Sequence, residues 1–379
     1  MNDPCPRCTG EGLNCHFTTT MNEVSVAIGV ATTLLCGLFA IFHSGIRRMA
    51  ESWICRFSLW CRNSEDQNGQ TAAVSGLFVY PVKSLRAVEV SHTTLDSMGF
   101  VGDRRFMLVC PSPPPPYGFL KSDPTHRFIT QRQCPVLATV QASVPDSSQL
   151  HLSCNGTAVS VSLIPRNDAE TFGARIWNDV VKVRDLGDEA ARFFQKIVGN
   201  DEEWQGIRLV RIDSKREADD NYVPAEARTL LGTTPRVALS DGFPILIAFE
   251  ASLDELNRRL SMKGKAPIPM SRFRPNIVIR NTRAFEEDTW KVISVGSTVL
   301  HLVKGCPRCK QSCTDQLTGE VHEEPLATLK EFRALGYNKE DAYFAQNAIA
   351  YGKSLSVGDS VCVLKRGSPV WDRESVAAE

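Results

Sequence analysis

The chain has 379 residues, 42% of them hydrophobic, with Lys plus Arg and Asp plus Glu equal at 43 each. This length exceeds the usual single domain, so two domains with an appendage are expected. A formal net charge of zero excludes a global field that would draw in nucleic acid or an acidic membrane, so any charged ligand must meet a local patch.

Residues 1–23 read as a disordered N-terminus that carries Cys5-x2-Cys8. Val24 to Phe42 is 19 residues without a charge, close to bilayer-spanning length, and 24–43 reads as a transmembrane signal-anchor. Arg47, Arg48, Arg56 and Arg62 follow it, so the positive-inside rule places the rest of the chain in the cytosol. Segment 44–73 reads as a polar tether. Thirteen cysteines with no short-spaced framework argue for reduced thiols rather than a disulfide scaffold.

From Val74 the pattern changes to short strands. Val74 to Tyr80 is an apolar run ended by Pro81, and Val88 to Leu95 alternates. Asn155-Gly156 between two strand-like runs predicts a two-residue hairpin. Trp177 reads as core packing. Asp188 to Val198 has Ala191, Phe194, Ile197 and Val198 at helical spacing, with Asp188 as N-cap and Gly199 just past the end. Ser252 and Glu255 read as the capping box of a second helix. Many short strands with few helices give an α+β, β-rich fold. No Walker loop and no Gly-x-Gly-x-x-Gly after a strand is present, so a nucleotide site is not expected. No Ser/His or His/Asp constellation supports a hydrolase.

The densest chemistry is Lys304-Gly-Cys-Pro-Arg-Cys-Lys-Gln-Ser-Cys-Thr-Asp-Gln-Leu-Thr-Gly-Glu320. Zinc needs four nitrogen or sulfur ligands, and only His301 and His322 stand nearby, not as a His-x3-5-His pair. Pairing Cys306 and Cys309 with Cys5 and Cys8 would complete four thiolates, which keeps a non-catalytic zinc-binding interaction protein as an alternative.

Tyr80-Pro-Val-Lys-Ser84, Gly102-Asp-Arg-Arg-Phe-Met-Leu108, Phe273-Arg-Pro-Asn-Ile277, Arg308-Cys309 with Thr318-Gly319, and Val357-Gly-Asp359 stand in one order. Together they resemble the MOSC-domain molybdenum-cofactor proteins over about Val74 to Leu364. The resemblance implies an N-terminal β-barrel-like MOSC domain at 74–199, a MOSC β-barrel domain for the cofactor at 208–366, and a tail at 367–379. It implies Cys309 as the catalytic thiolate and metal ligand, a soft donor suited to molybdenum. Arg308 beside it would lower the thiol pKa. Lys83, Ser84, Arg104, Ser240, Asp241, Arg274, Asn276 and Arg308 match cofactor contacts, and a pterin with a phosphate calls for such forked cationic donors. Gly242-Phe243 replaces small hydroxyl residues of the family loop, Gln346-Asn347 is a further candidate, and Cys306 and Cys313 are given no role.

The activity so implied is two-electron reduction of N-hydroxylated compounds such as amidoximes, hydroxylamines or nitrite, in a membrane-anchored protein of the mitochondrial outer membrane or endoplasmic reticulum. Cytochrome b5 and NADH-cytochrome b5 reductase would be its electron-transfer partners. The alternative within the family is sulfur transfer to the cofactor, but those enzymes carry an upstream pyridoxal-phosphate domain, for which the anchor and tether leave no room.

Overall fold

Phe106–Pro111 is a strand whose alternate side chains feed two cores. Phe106, Leu108 and Cys110 pack with helix Asp188–Val198, while Met107 and Val109 meet Ala174, Val181 and Val210. Both faces are apolar because this strand forms the wall of a closed five-stranded barrel, in the order Thr171–Ile176, Asp179–Asp185, Arg208–Ile212, Phe106–Pro111, His126–Phe128. A parallel pairing of Ala174 with His126 completes the ring. The computed structural model describes residues 70–111, 126–146, 148–164 and 170–372. The anchor expected at 24–43, the tether up to residue 69, and Cys5 with Cys8 lie outside the described residues, among which no helix is long and apolar enough to cross a membrane.

The second layer is an eight-stranded sheet rather than the second barrel expected for the C-terminal half. Its order is Val88–Val90, Ala73–Val79, Ile277–Arg280, Ile245–Phe249, Ala342–Tyr351, Thr298–Arg308, Trp290–Val295, Val361–Arg366. All neighbours are antiparallel except Ile245–Phe249 with Ile277–Arg280. The sheet thus recruits its first two strands from the N-terminal segment, and Arg208–Ile212 in turn joins the N-terminal barrel. Such exchanges are non-local pairings, invisible to a linear reading.

Local signals fare better where their partners are near in sequence. Asn155 and Gly156 take φ of 47° and 75° between strands Gln149–Cys154 and Thr157–Ser162, the geometry a two-residue hairpin demands. Helix Asp188–Val198 has the expected limits, but Gly187 is its N-cap. Asp188 stands in the first turn, where its carboxylate faces the positive helix end and accepts from Arg208 Nη1 at 2.8 Å. The capping box at Ser252 does not form either. Helix Glu250–Met262 starts two residues earlier behind Phe249, and the Ser252 hydroxyl donates instead to Glu287 Oε1 at 2.7 Å. Cys110, Cys134, Cys154, Cys306, Cys309 and Cys313 are free thiols, as expected, whereas Cys362 is disulfide-bonded, which the expectation of reduced thiols did not include.

Candidate functional site

Six segments converge on one pocket: Lys83 and Ser84, Arg104, Ser240 to Phe243, Phe273 to Asn276, Cys306 to Cys309, and Asn347, with Leu246 and Gln311 completing the lining. Lys83, Ser84, Arg104, Ser240, Asp241, Arg274, Asn276, Arg308 and Cys309, each singled out in the sequence, all line it. The backbone at this place is strained. Ser84, Arg104 and Arg274 have φ of 67°, 47° and 57°, left-handed values that cost an L-residue with a Cβ roughly 1 kcal/mol or more each. Packing elsewhere must overcome that strain, and the outcome is that three polar side chains turn toward one cavity.

The floor is a stack of cations on an aromatic ring. Arg104 and Arg274 each place a guanidinium over Tyr80, 4.4 Å from the ring centroid. Burial pushes the Tyr80 phenol up to about 12, so it stays neutral, and its hydroxyl donates to the Pro275 carbonyl at 3.1 Å. Arg104 is paired with Asp103 at 2.6 Å and donates to Asn276 Oδ1 at 3.0 Å. Asn276 gives its amide hydrogens to the Phe78 carbonyl and to Asp103, both at 3.1 Å, so its side chain is committed to the protein and fixes Arg104. Arg274 has no carboxylate. Its Nη1 donates to Gln316 Oε1 at 2.9 Å, its Nη2 has no partner, and burial lowers its pKa to about 10, with the neighbouring Arg104 adding to the effect.

The wall from the other side is an ion pair with one buried end. Lys83 Nζ donates to Asp241 Oδ1 at 2.6 Å and to the Leu239 carbonyl at 2.8 Å. Burial draws the Lys83 ammonium below its ordinary pKa against the pull of Asp241. The protein packed around Asp241 would raise its carboxyl, but Lys83 and the Trp177 N–H more than offset this and hold it well below the carboxylate range. Arg216 pins this loop by donating to the carbonyls of Ser240 and Asp241 at 2.5 and 2.6 Å. Phe243 leaves the hydroxyl role unfilled and packs edge-on against Tyr222 in a separate apolar cluster.

At the mouth, Cys309 is exposed and precedes the 3-10 turn Lys310–Cys313. Arg308 does not stand against its thiol. Arg308 Nη1 instead meets Cys306 Sγ at 3.0 Å and Nη2 donates to the Phe273 carbonyl at 3.0 Å, leaving Nε without a partner. The reason is strand alternation: within Thr298–Arg308 the side chains of 306 and 308 share a face. Cys306, given no role from the sequence, therefore lines the pocket, its thiol pKa raised by burial against the Arg308 charge. Cys313 lies outside the pocket lining, its Sγ 3.3 Å from the Glu323 carbonyl. Among the described residues no group of three or more His, Cys, Asp or Glu side chains is arranged to hold a metal ion, so the three clustered cysteines do not form a zinc site there.

The cation near Cys309 is Arg132, whose Nη1 lies 3.9 Å from Sγ and whose guanidinium stacks over Trp177 at 4.3 Å. Trp177 is 41% exposed rather than core, and its Nε1 donates to Asp241 Oδ1 at 2.9 Å. Gln131 and Gln316 form a buried amide pair at 3.0 Å that ties Arg274 to the Ser84 carbonyl. Of the Gln346-Asn347 pair only Asn347 reaches the pocket, because successive strand residues face opposite sides and Gln346 donates to Asp288. Arg132 and Gln316 carried no sequence signal of a site, and Trp177, at a position where the resemblance implies a polar aromatic, was expected to pack in the core.

The donor set can be tested for the group the resemblance implies. Ser84 Oγ, Arg274 Nη2 and Arg308 Nε are buried without partners, and all three belong to residues lining the pocket. Buried donors in proteins are mostly paired, and Arg105 Nη1, Arg272 Nε and Trp290 Nε1 are further exceptions outside this lining. Lys83, Arg104, Arg274 and Arg308 face only Asp241 among lining carboxylates, so a polyanion finds forked donors and an excess of positive charge beside the exposed thiol of Cys309. A phosphate-bearing pterin with a thiolate-ligated metal fits these residues.

Residues 71–201 match the MOSC N-terminal beta barrel domain and residues 234–362 match the MOSC domain. The chain is 33% identical over 308 residues to mitochondrial amidoxime reducing component 2 of Rattus norvegicus, covering 80% of this chain and 83% of that one. It is 30% identical over 309 residues to mitochondrial amidoxime reducing component 2 of Homo sapiens, covering 80% and 84%. Mitochondrial amidoxime-reducing component 1 of Mus musculus is 27% identical over 306 residues, covering 78% and 83%.

Proposed function

This chain belongs to the MOSC-domain proteins, and we propose that it is a molybdenum-cofactor reductase of N-hydroxylated compounds such as amidoximes. One observation carries the reading: three unpartnered buried donors, Ser84 Oγ, Arg274 Nη2 and Arg308 Nε, belong to a cavity that also holds the exposed thiol of Cys309. The names of the relatives support the substrate class and a mitochondrial location.

The cofactor, once bound, supplies a metal that exchanges two electrons with the substrate. Cys309 would add the protein's own sulfur ligand. Arg274 and Arg308 would hold the anionic groups of the cofactor by forked hydrogen bonds, and Lys83 would add a fixed charge oriented by Asp241. Arg132 keeps a cation beside the Cys309 sulfur. Neither a flavin nor a haem motif is evident in the sequence, so the reading takes the electrons from cytochrome b5 and its NADH-dependent reductase.

The test is metal and pterin analysis of the purified chain with amidoxime reduction by an artificial donor, repeated for Cys309→Ser and Cys313→Ser. Stoichiometric molybdenum, activity lost with Cys309→Ser and kept within a few-fold in Cys313→Ser are the expected results. Zinc in place of molybdenum, or a fully active Cys309→Ser protein, refutes the assignment.

A further inference from the structure

Trp177 occupies the turn between strands Thr171–Ile176 and Asp179–Asp185 with a left-handed φ of 54°. Glycine or asparagine would take that conformation at less cost, and a large apolar ring would be more stable if buried. The ring is nevertheless held from three sides. Its Nε1 donates to Asp241, which also pairs with Lys83 on the pocket wall; Phe128 meets it edge-on at 5.2 Å; and the Arg132 guanidinium stacks at 4.3 Å. Arg132 is itself anchored on Thr130 Oγ1 at 3.3 Å and reaches Cys309 Sγ at 3.9 Å. An aromatic surface 41% exposed, fixed in orientation and one side chain away from the Cys309 sulfur is built to receive something flat.

We propose that Trp177 and Arg132 form a substrate-positioning platform that selects planar, conjugated N-hydroxylated compounds, stacking an aromatic substituent on the indole while the N–O oxygen meets the Arg132 cation. The proposal rests on the reductase reading above. Stacking supplies affinity without demanding one ring chemistry, because every conjugated ring presents a π face. The guanidinium adds direction, since it attracts the oxygen end of a polar N–O group toward Cys309. A ringless substrate such as hydroxylamine gains only the second contact.

Platform and reading are separable by experiment. The full chain and its Trp177→Ala, Trp177→Leu and Trp177→Phe variants are compared for molybdenum content, for kcat and KM with benzamidoxime and with hydroxylamine, and for equilibrium binding of benzamidoxime by calorimetry. The platform requires the kcat/KM ratio of benzamidoxime over hydroxylamine to fall about tenfold in the alanine and leucine variants, mostly through KM, and to recover to within about threefold in Trp177→Phe. Calorimetry should show weaker benzamidoxime binding in the same two variants. An unchanged ratio, a leucine variant as selective as the parent, or equal loss of kcat with both substrates overturns the platform. If the parent chain binds benzamidoxime through Trp177 but reduces neither compound, the reductase reading fails and the platform stands.

Discussion

Arg274 and Arg333 are both buried guanidiniums lying over an aromatic ring, yet they belong to opposite kinds of region. Arg333 is fully satisfied: it grips both oxygens of Asp288 at 2.7 and 2.9 Å, donates Nε to the Tyr343 carbonyl at 3.0 Å and lies over Phe285. Arg274 has one amide oxygen for a partner, no carboxylate, and a bare Nη2 beside the Tyr80 ring. Even the strand Ala342–Tyr351 divides along this line, with Gln346 turned to Asp288 and Asn347 to the pocket. At Arg333 the protein completes a buried charge itself, whereas at Arg274 it leaves one incomplete on the pocket lining.

The largest effect expected from this contrast is an opposite response to one substitution. Arg333→Met leaves the part-buried Asp288 with Gln346 as its remaining side-chain donor, and breaking such a pair costs about 3–5 kcal/mol. Arg274→Met replaces an incompletely paired charge by an apolar chain of similar volume, which in cofactor-free protein should be neutral or stabilising by about 1–3 kcal/mol, while cofactor retention is lost. Urea midpoints of the two apoproteins and molybdenum content of the two as purified decide the matter. Equal destabilisation by both would erase the distinction.

The contrast also marks how much the sequence could say. Pocket residues such as Lys83, Ser84, Arg274 and Asn276 were legible because they lie in short linear motifs that resemble those of the MOSC-domain proteins. What motif spacing cannot carry is which cation meets which sulfur. Arg308 neighbours Cys309 in sequence but reaches Cys306, and Arg132 arrives at Cys309 from 177 positions away. The fold divides likewise. The Asn155-Gly156 hairpin follows from two residues, whereas barrel closure by His126 against Ala174 depends on strands far apart. Ser252 and Glu255 had the spacing of a capping box, yet the hydroxyl was drawn to Glu287 because a buried carboxyl needs a donor more than the helix end does.

Glu287 sharpens the comparison, because it is an incomplete carboxyl next to the satisfied Asp288–Arg333 pair. Its Oε2 has no partner, and burial, with Asp288 nearby, raises its pKa from 4.5 to about 8. The folded state therefore holds this proton where the unfolded chain has released it. Its contribution to stability is complete below about pH 4.5 and declines as pH rises to about 8, by at most about 1.4 kcal/mol per unit. Glu287→Gln keeps the acceptor for Ser252 and cannot ionise, so urea midpoints measured between pH 6 and 8 should lose that decline. A variant with the parent's slope would show that Glu287 is already ionised in the folded protein.

The smallest expected effect probes the seam between the two regions at Gly305, whose strand presents Cys306 and Arg308 to the pocket. Its N–H donates to the Val370 carbonyl at 2.9 Å, and a Cβ there would lie 2.3 Å from Trp371 Cζ3. Trp371 packs against Tyr343, with ring centroids 4.9 Å apart, and lies 5.5 Å from the Arg333 guanidinium. Gly305 is not among the left-handed residues, so alanine meets no backbone penalty and the whole effect is the displaced indole. Overpacking of this kind costs about 1–3 kcal/mol, and Gly305→Ala should sit near the low end because the atoms it displaces belong to side chains rather than backbone. In a Trp371→Ala background the same substitution should cost almost nothing, since the clash is gone, and the difference between backgrounds measures the contact directly. If the cost is the same in both, Trp371 does not rest on Gly305, and molybdenum lost from Gly305→Ala would show that the completed region and the incomplete one share a single mechanical element.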